Sequence, residues 1–407
     1  MKKVLPVFAL STVLLLLLAS AAFAQNYKND AATSASPTAT ASATASPSAT
    51  ARATATASAT ASPSATASAL NSGKSKDFAG LVDIGGGRQM YMECQGTGYP
   101  TVVFVSGAGD RAETWSTTKD PSEQAVLPAI AQTNRVCAYD RPGTILATGE
   151  GPEDFEPSRS DPVDQPTTLQ DHVDDLHALL SASGERGPYV VVGHSMGGAI
   201  SRLYASEHPE EVSGLVLIGY TPYEAREALT DKEWGYWKVL LGGSPPEEAL
   251  KLYPALEWAD NQLNLEQASA AAPLKPMPFI AFQSDEPFDF AALVEDGTLP
   301  MTLKQAEQFR ILLYNAWHDA DSALVSQVPG ARFIDDPQSG HYIHQEQPQL
   351  VIDAIREVVD AAALGSTTLV DTGGPPMVQA FTLAAGLALF ISSFAVMRFV
   401  LRRNASS

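Results

Sequence analysis

The sequence predicts an α/β fold, a mostly parallel sheet covered by helices on both faces, and two observations carry the prediction. Between about Phe78 and Leu364 short apolar runs alternate with segments of helical spacing, the pattern of strands that cross over through helices. At the middle of that stretch the β-branched run Pro188-Tyr189-Val190-Val191-Val192 breaks into Gly193-His194-Ser195-Met196-Gly197-Gly198, and helix-compatible residues resume from Ala199 to Tyr204. Strand, tight turn and helix form the context in which Gly-x-Ser-x-Gly holds a serine hydroxyl above the edge of a sheet. Glycines two before and two after Ser195 relieve the crowding that such a turn creates.

The elements follow in order. Met1-Lys2-Lys3, the Leu- and Val-rich stretch Val4 to Leu18 and Ala21-Ala22-Phe23-Ala24 have the basic, apolar and small-residue regions of a secretory signal peptide over 1–24. Residues 25–76 are dominated by Ala, Ser, Thr and Pro in imperfect repeats such as Ala61-Ser62-Pro63-Ser64-Ala65-Thr66. Such a stretch lacks the large apolar side chains that offset chain entropy, and it reads as a disordered stalk. Leu81 to Ile84 and Arg88 to Cys94, joined by three glycines, read as an antiparallel hairpin. Thr101 to Val105 and Arg135 to Tyr139 are short apolar strands. Thr168 to Ser183 opens on a capping box, Thr168 with Asp171, and carries Leu176, Leu179 and Leu180 on one face, which predicts a helix. After the central strand and helix come strands at Gly214 to Ile218, Pro278 to Phe282 and Ala331 to Ile334. A helix over Pro348 to Ala363 closes the 77–364 domain. Residues 365–376 form a linker, 377–401 are apolar and long enough to span a bilayer, and the basic tail 402–407 favours the cytoplasmic side. This arrangement predicts an exported protein held at the cell surface by its C-terminus.

Composition narrows the function classes. With 26 Lys plus Arg against 46 Asp plus Glu, the formal charge of −20 opposes polyanions and argues against nucleic-acid binding. Cys94 and Cys137 are the only cysteines. In an exported chain they read as a disulfide, since no Cys/His cluster surrounds either to make a zinc site.

Four ordered pieces make the chain resemble the α/β-hydrolase superfamily over roughly 78–364. They are Ser106-Gly107-Ala108-Gly109, Tyr139-Asp140-Arg141-Pro142-Gly143, Gly193-His194-Ser195-Met196-Gly197-Gly198 and Ser339-Gly340-His341. The resemblance implies a doubly wound α/β sheet whose second and fourth strands lie side by side, bringing Cys94 near Cys137. It also implies a helical cap after the sixth strand, at about 221–275. A second resemblance lies at Leu369-Val370-Asp371-Thr372-Gly373, which is similar to a cell-wall sorting signal but has Val370 where proline is expected. A plain membrane anchor is the alternative.

A serine hydroxyl is a weak nucleophile near neutral pH and needs a base within hydrogen-bond reach, itself held by a third group. The resemblance implies Ser195 as nucleophile and His341 as base. The acid should follow a strand between them. No carboxylate stands in Ile218-Gly219-Tyr220, where some relatives carry one, and Asp285 follows the next strand with Glu286 as alternative. The elbow makes the Met196 backbone N–H one oxyanion donor, and the family pattern suggests the Ala108 N–H as the other. His194 is expected to pack beneath the elbow. No metal or organic cofactor is implied, and the expected partner is a small acyl substrate. Two functions are open: a surface serine hydrolase acting on esters or related acyl bonds (amidase, peptidase and haloperoxidase-like activities included), and a surface binding protein on a hydrolase scaffold.

Overall fold

The computed structural model describes residues 77–367, apart from 149–154, 243, 246, 286 and 287. The leader, the stalk, the sorting-like motif, the apolar span at 377–401 and the basic tail all lie outside the described residues, as does Glu286. Among the described residues no helix is long and apolar enough to cross a membrane.

The first half of the domain supplies β1 (Phe78–Gly85), β2 (Arg88–Gln95), β3 (Val102–Val105), β4 (Val136–Tyr139), β5 (Ile145–Ala147) and β6 (Phe155–Pro157). The second supplies β7 (Tyr189–His194), β8 (Val212–Ile218), β9 (Phe279–Phe282) and β10 (Arg332–Ile334). Among the described residues the main sheet has eight strands in the order β1-β2-β4-β3-β7-β8-β9-β10. The pairs β1/β2 and β2/β4 are antiparallel, and the remaining pairs are parallel. The α/β class is therefore as the alternating pattern predicts.

Side-chain alternation explains why the central strands are apolar throughout. Val103, Val105, Val191, Leu215 and Leu217 enter the core on one face, which the helices Leu169–Ser183 and Met196–Glu207 cover. Their neighbours Val102, Phe104, Val190, Val192, Val216 and Ile218 enter a second core on the other face, under Val126–Ile130 and the closing helix. A strand buried on both faces has no polar side to show, so period-two alternation vanishes from its sequence. The predicted capping box is present, with Thr168 accepting from the Asp171 N–H and Asp171 accepting from the Thr168 N–H. The closing helix runs Pro348–Thr367.

Cys94 and Cys137 are direct partners in the β2–β4 register and are joined in a disulfide with their Cα atoms 4.1 Å apart. The chain leaves the sheet after β8 through a short 3₁₀ turn, Tyr223–Ala228, and the helices Asp231–Leu240, Glu247–Leu252 and Asn261–Ala270. The insertion is pinned at its start and near its middle: the Thr221 N–H donates to the Ser195 carbonyl at 3.3 Å and the Glu257 N–H to the Gly143 carbonyl at 2.9 Å.

Two features go beyond the sequence expectation. β5 and β6 form a separate two-stranded ribbon of three residues each, too short to leave a periodic signal. The helical layer over the sheet also includes the 24-residue helix Leu303–Ser326, which follows β9 and lies outside the expected 221–275 cap. Its start was written in the chain as Thr302 with Gln305, a capping box with both bonds present.

Candidate active site

Ser195 sits between β7 and its helix at φ 54° and ψ −123°. Among the described residues only Ser195 and Gln338 are non-glycine positions with positive φ, and they stand on the two loops that matter here. That conformation costs energy, and surrounding packing must impose it. The glycines show how: a Cβ on Gly193 would lie 2.4 Å from the Gly197 carbonyl oxygen, and one on Gly197 would lie 2.2 Å from that of Val105.

The structure brings His341 to Ser195, with Nε2 3.0 Å from Oγ. Phe288 stacks on the imidazole at a centroid distance of 6.0 Å, and its Nδ1 is sealed from solvent. Burial holds this histidine down to about pKa 4 against the opposing pull of Glu346, so the ring is neutral and able to accept a proton near pH 7. His194 lies beneath the elbow, 1% exposed, as expected, but it does more than fill space. Its Nε2–H donates to the His341 carbonyl at 3.0 Å, tying the nucleophile strand to the base loop. His344, also fully buried, is held down to about 3 chiefly by burial and faces Thr114 Oγ1 at 3.3 Å.

The third member of the expected triad is placed differently. Asp285 N–H donates to the Ser339 carbonyl at 3.0 Å, and Asp285 Oδ2 accepts the Ser339 N–H at 2.9 Å. The carboxylate thus grips the backbone two residues before His341. Among the described residues Nδ1 of His341 has no hydrogen-bond partner, so the structure does not join it to Asp285. What faces Nδ1 is Gly219: a Cβ there would lie 3.7 Å from Nδ1 and 3.9 Å from Ser284 Oγ.

Met196 opens its helix, and as the first helical residue it carries one of the N–H groups that have no intrahelical acceptor. Ala108 is exposed in the tight turn closed by the Asp110 N–H on the Gly107 carbonyl at 3.2 Å. The Gly109 N–H is engaged by Glu257 Oε2 at 2.7 Å, which takes that donor away from any substrate. Gly107 has to be glycine, because a Cβ would meet His194 Nδ1 at 2.8 Å and Asp110 Oδ2 at 3.3 Å. Burial pushes the Asp110 carboxyl up to about 7, although Arg141 opposes the shift.

Above the site the aromatic rings run in a chain. Phe288 meets Trp317 at 6.0 Å, and Trp317 meets Trp237 of the insertion at 5.8 Å. Trp317 belongs to the long helix Leu303–Ser326. Two side-chain groups have metal-ligand composition among the described residues. Cys94 and Cys137 are consumed in the disulfide. His177 and His208 stack face to face at 4.1 Å and 7°, so their in-plane lone pairs cannot meet at one ion beside Glu211 as the rings stand.

Residues 102–354 match the alpha/beta hydrolase family. The uncharacterized protein YqjL of Bacillus subtilis is 25% identical over 279 residues, 66% of this chain and 87% of that protein. The 2-(acetamidomethylene)succinate hydrolase of Mesorhizobium japonicum is 26% identical over 215 residues, 49% of this chain and 74% of its own length. Among solved structures the chain is similar to the carboxylesterase CesB of Bacillus subtilis, with a TM-score of 0.42, 16% identity and coverage of 70% of this chain and 91% of that one.

Proposed function

The chain belongs to the alpha/beta hydrolase family, and from that premise we propose that it is a serine hydrolase cleaving an ester or related acyl bond through an acyl-enzyme. The observation that carries the reading is the 3.0 Å approach of His341 Nε2 to Ser195 Oγ, with the serine held at φ 54° on a turn between strand and helix. In this reading Ser195 Oγ attacks the carbonyl carbon as its proton passes to Nε2. The developing oxyanion is met by the N–H groups of Met196 and Ala108, and the protonated His341 returns the proton to the leaving group. A water molecule, deprotonated by the same nitrogen, then releases the acid and restores the serine. Phe288, half-buried and stacked on His341 in front of the buried Trp317, supplies apolar surface beside the nucleophile, which suits an apolar substituent on the substrate.

Asp285 enters the proposal as the residue that fixes the His341 loop through Ser339. We also propose that the protein is exported through residues 1–24 and held at a cell surface through 377–401, with 25–76 as a stalk. Detergent partitioning and the mass of the mature C-terminus test that part.

The catalytic part is tested by labelling with a fluorophosphonate probe. The wild type takes the label and Ser195→Ala does not; a folded wild type that stays unlabelled overturns the reading. Aryl esters of increasing acyl length then define the substrate range.

A further inference from the structure

The proposed reaction needs a second oxyanion donor at Ala108, in an exposed turn with no secondary structure to hold it. A buried ion pair underneath supplies the support. Arg141 and Glu257 have side chains only 1% exposed each, and they meet in a forked contact: Nε to Oε1 at 2.7 Å and Nη2 to Oε2 at 3.0 Å. Burial alone would raise the Glu257 carboxyl, but the guanidinium holds it below the usual carboxylate range, so the pair is ionised. Two further guanidinium hydrogens point at the turn, with Nη1 donating to the Ser106 carbonyl and Nη2 to the Gly107 carbonyl, both at 2.6 Å. Glu257 Oε2 accepts the Gly109 N–H at 2.7 Å. The pair therefore grips the backbone on both sides of Ala108.

Peptide geometry converts this grip into a direction. The Gly107 carbonyl and the Ala108 N–H belong to one planar, trans peptide unit, in which C=O and N–H point opposite ways. Anchoring the Gly107 oxygen on Arg141 aims the Ala108 N–H away from the ion pair. The turn itself lies against the elbow, since a Cβ on Gly197 would strike the Ser106 carbonyl oxygen at 2.3 Å.

Glu257 does not come from the sheet. It stands 116 residues after Arg141, within the insertion that follows β8, and reaches the site because its own N–H is bonded to the Gly143 carbonyl at 2.9 Å. A Cβ on Gly143 would lie 2.3 Å from the Ala255 carbonyl oxygen, and its φ of +82° suits only glycine well, so Asp140-Arg141-Pro142-Gly143 carries both the guanidinium and the contact that seats its partner.

We propose that Arg141 and Glu257 are positioning residues that orient the Ala108 N–H toward the oxyanion, so that the cap insertion, through Glu257, sets the rate as well as enclosing the substrate. The proposal rests on the acyl-transfer reading above.

The test compares wild type with Glu257→Gln, which keeps the shape of the side chain and removes its charge. Three quantities are read: kcat and KM on an aryl ester, the affinity of an arylboronic acid that forms a tetrahedral adduct on Ser195, and the affinity of the carboxylate product. The expected result is a loss of about 10- to 100-fold in kcat with KM changed by less than about 3-fold, part of the full loss seen when one oxyanion donor is removed. Boronate affinity falls by the same factor and product affinity stays. An unchanged boronate affinity overturns the proposal, and so does an equal weakening of boronate and product, which marks general loosening. Should Glu257→Gln fail to fold, Arg141→Lys keeps the charge but loses the fork and is read against the same outcomes. Fluorophosphonate labelling of the wild type separates the two levels: no label removes the acyl-transfer reading itself, whereas a labelled wild type with an unmoved boronate affinity in the variant removes only the positioning role.

Discussion

His194 Nε2–H donates to the carbonyl of His341 at 3.0 Å, so the strand that delivers the nucleophile also fixes the backbone of the base. A neutral hydrogen bond of this kind contributes about 1 kcal/mol, and its loss lets the loop that carries His341 drift. His194→Phe keeps the ring and removes the donor. The expected result is a drop of about 10-fold in kcat with the fluorophosphonate still attached, read by steady-state kinetics beside the labelling rate.

Asp285 separates two roles of a carboxylate. As the partner of His341 Nδ1 it would cost about 10⁴-fold when changed to asparagine. As the acceptor of the Ser339 N–H it is replaced by an asparagine carbonyl with little loss. We expect Asp285→Asn to retain activity within about 10-fold and Asp285→Ala to lose more, and kcat for the two variants decides the matter.

A Cβ on Gly219 would lie 3.7 Å from Nδ1 of His341. The glycine's φ of +49° is one that aspartate tolerates better than most residues. In Gly219→Asp the new negative charge stabilises the imidazolium, so the pKa of His341 rises from about 4. The wild-type kcat/KM should fall only as the pH approaches about 4, because the base must be neutral to work; in the variant that acid limb moves to higher pH. Identical limbs in the two pH profiles would count against the placement.

Stability should depend on acid through two other histidines. His172 and His344 are 3% and 0% exposed, and burial is the main cause that holds them down to about 4 and about 3. An unfolded chain protonates both near pH 6.5, so between that pH and the folded values it binds more protons than the native state. Stability therefore rises with pH across this window and falls as the pH drops, by about 1.4 kcal/mol per pH unit for each site while the window is open. Denaturant unfolding at pH 7, 6 and 5 measures the slope, and His344→Phe should flatten it.

The Cys94–Cys137 bond closes a loop of 43 residues in sequence separation. Chain-entropy reasoning gives such a loop up to about 4 kcal/mol. Replacing both cysteines by alanine should lower the melting temperature by several degrees without altering the kinetics of the site on the parallel strands.

Most of the fold was legible because it is local. Val190 to Val192, the glycines around Ser195 and the Thr168–Asp171 cap each announce their element within a few residues. Ser195 and His341 were legible for a different reason, since the loops that present them follow strands in a fixed order. The long-range contacts were not legible. Nothing near Asp285 shows that its carboxylate accepts the N–H of Ser339, 54 residues away. Arg141 lay in plain view within Asp140-Arg141-Pro142-Gly143, but its partner Glu257 sits in an unremarkable run, Leu256-Glu257-Trp258, and only the fold brings the two together. A buried ring and a buried donor look alike in a sequence, so nothing near His194 marks its bond to the His341 carbonyl.

The insertion after β8 starts with Thr221 bonded to the elbow and reaches, at Glu257, a seat on Gly143. Between those two attachments Tyr223, Trp234, Trp237 and Leu240 are buried in the main core, so only the outward positions of this stretch are free to vary. A library that randomises those outward positions and keeps the buried ones together with Thr221 and Ala255-Leu256-Glu257 should yield many active enzymes, and one that shifts Glu257 by a single residue should yield few.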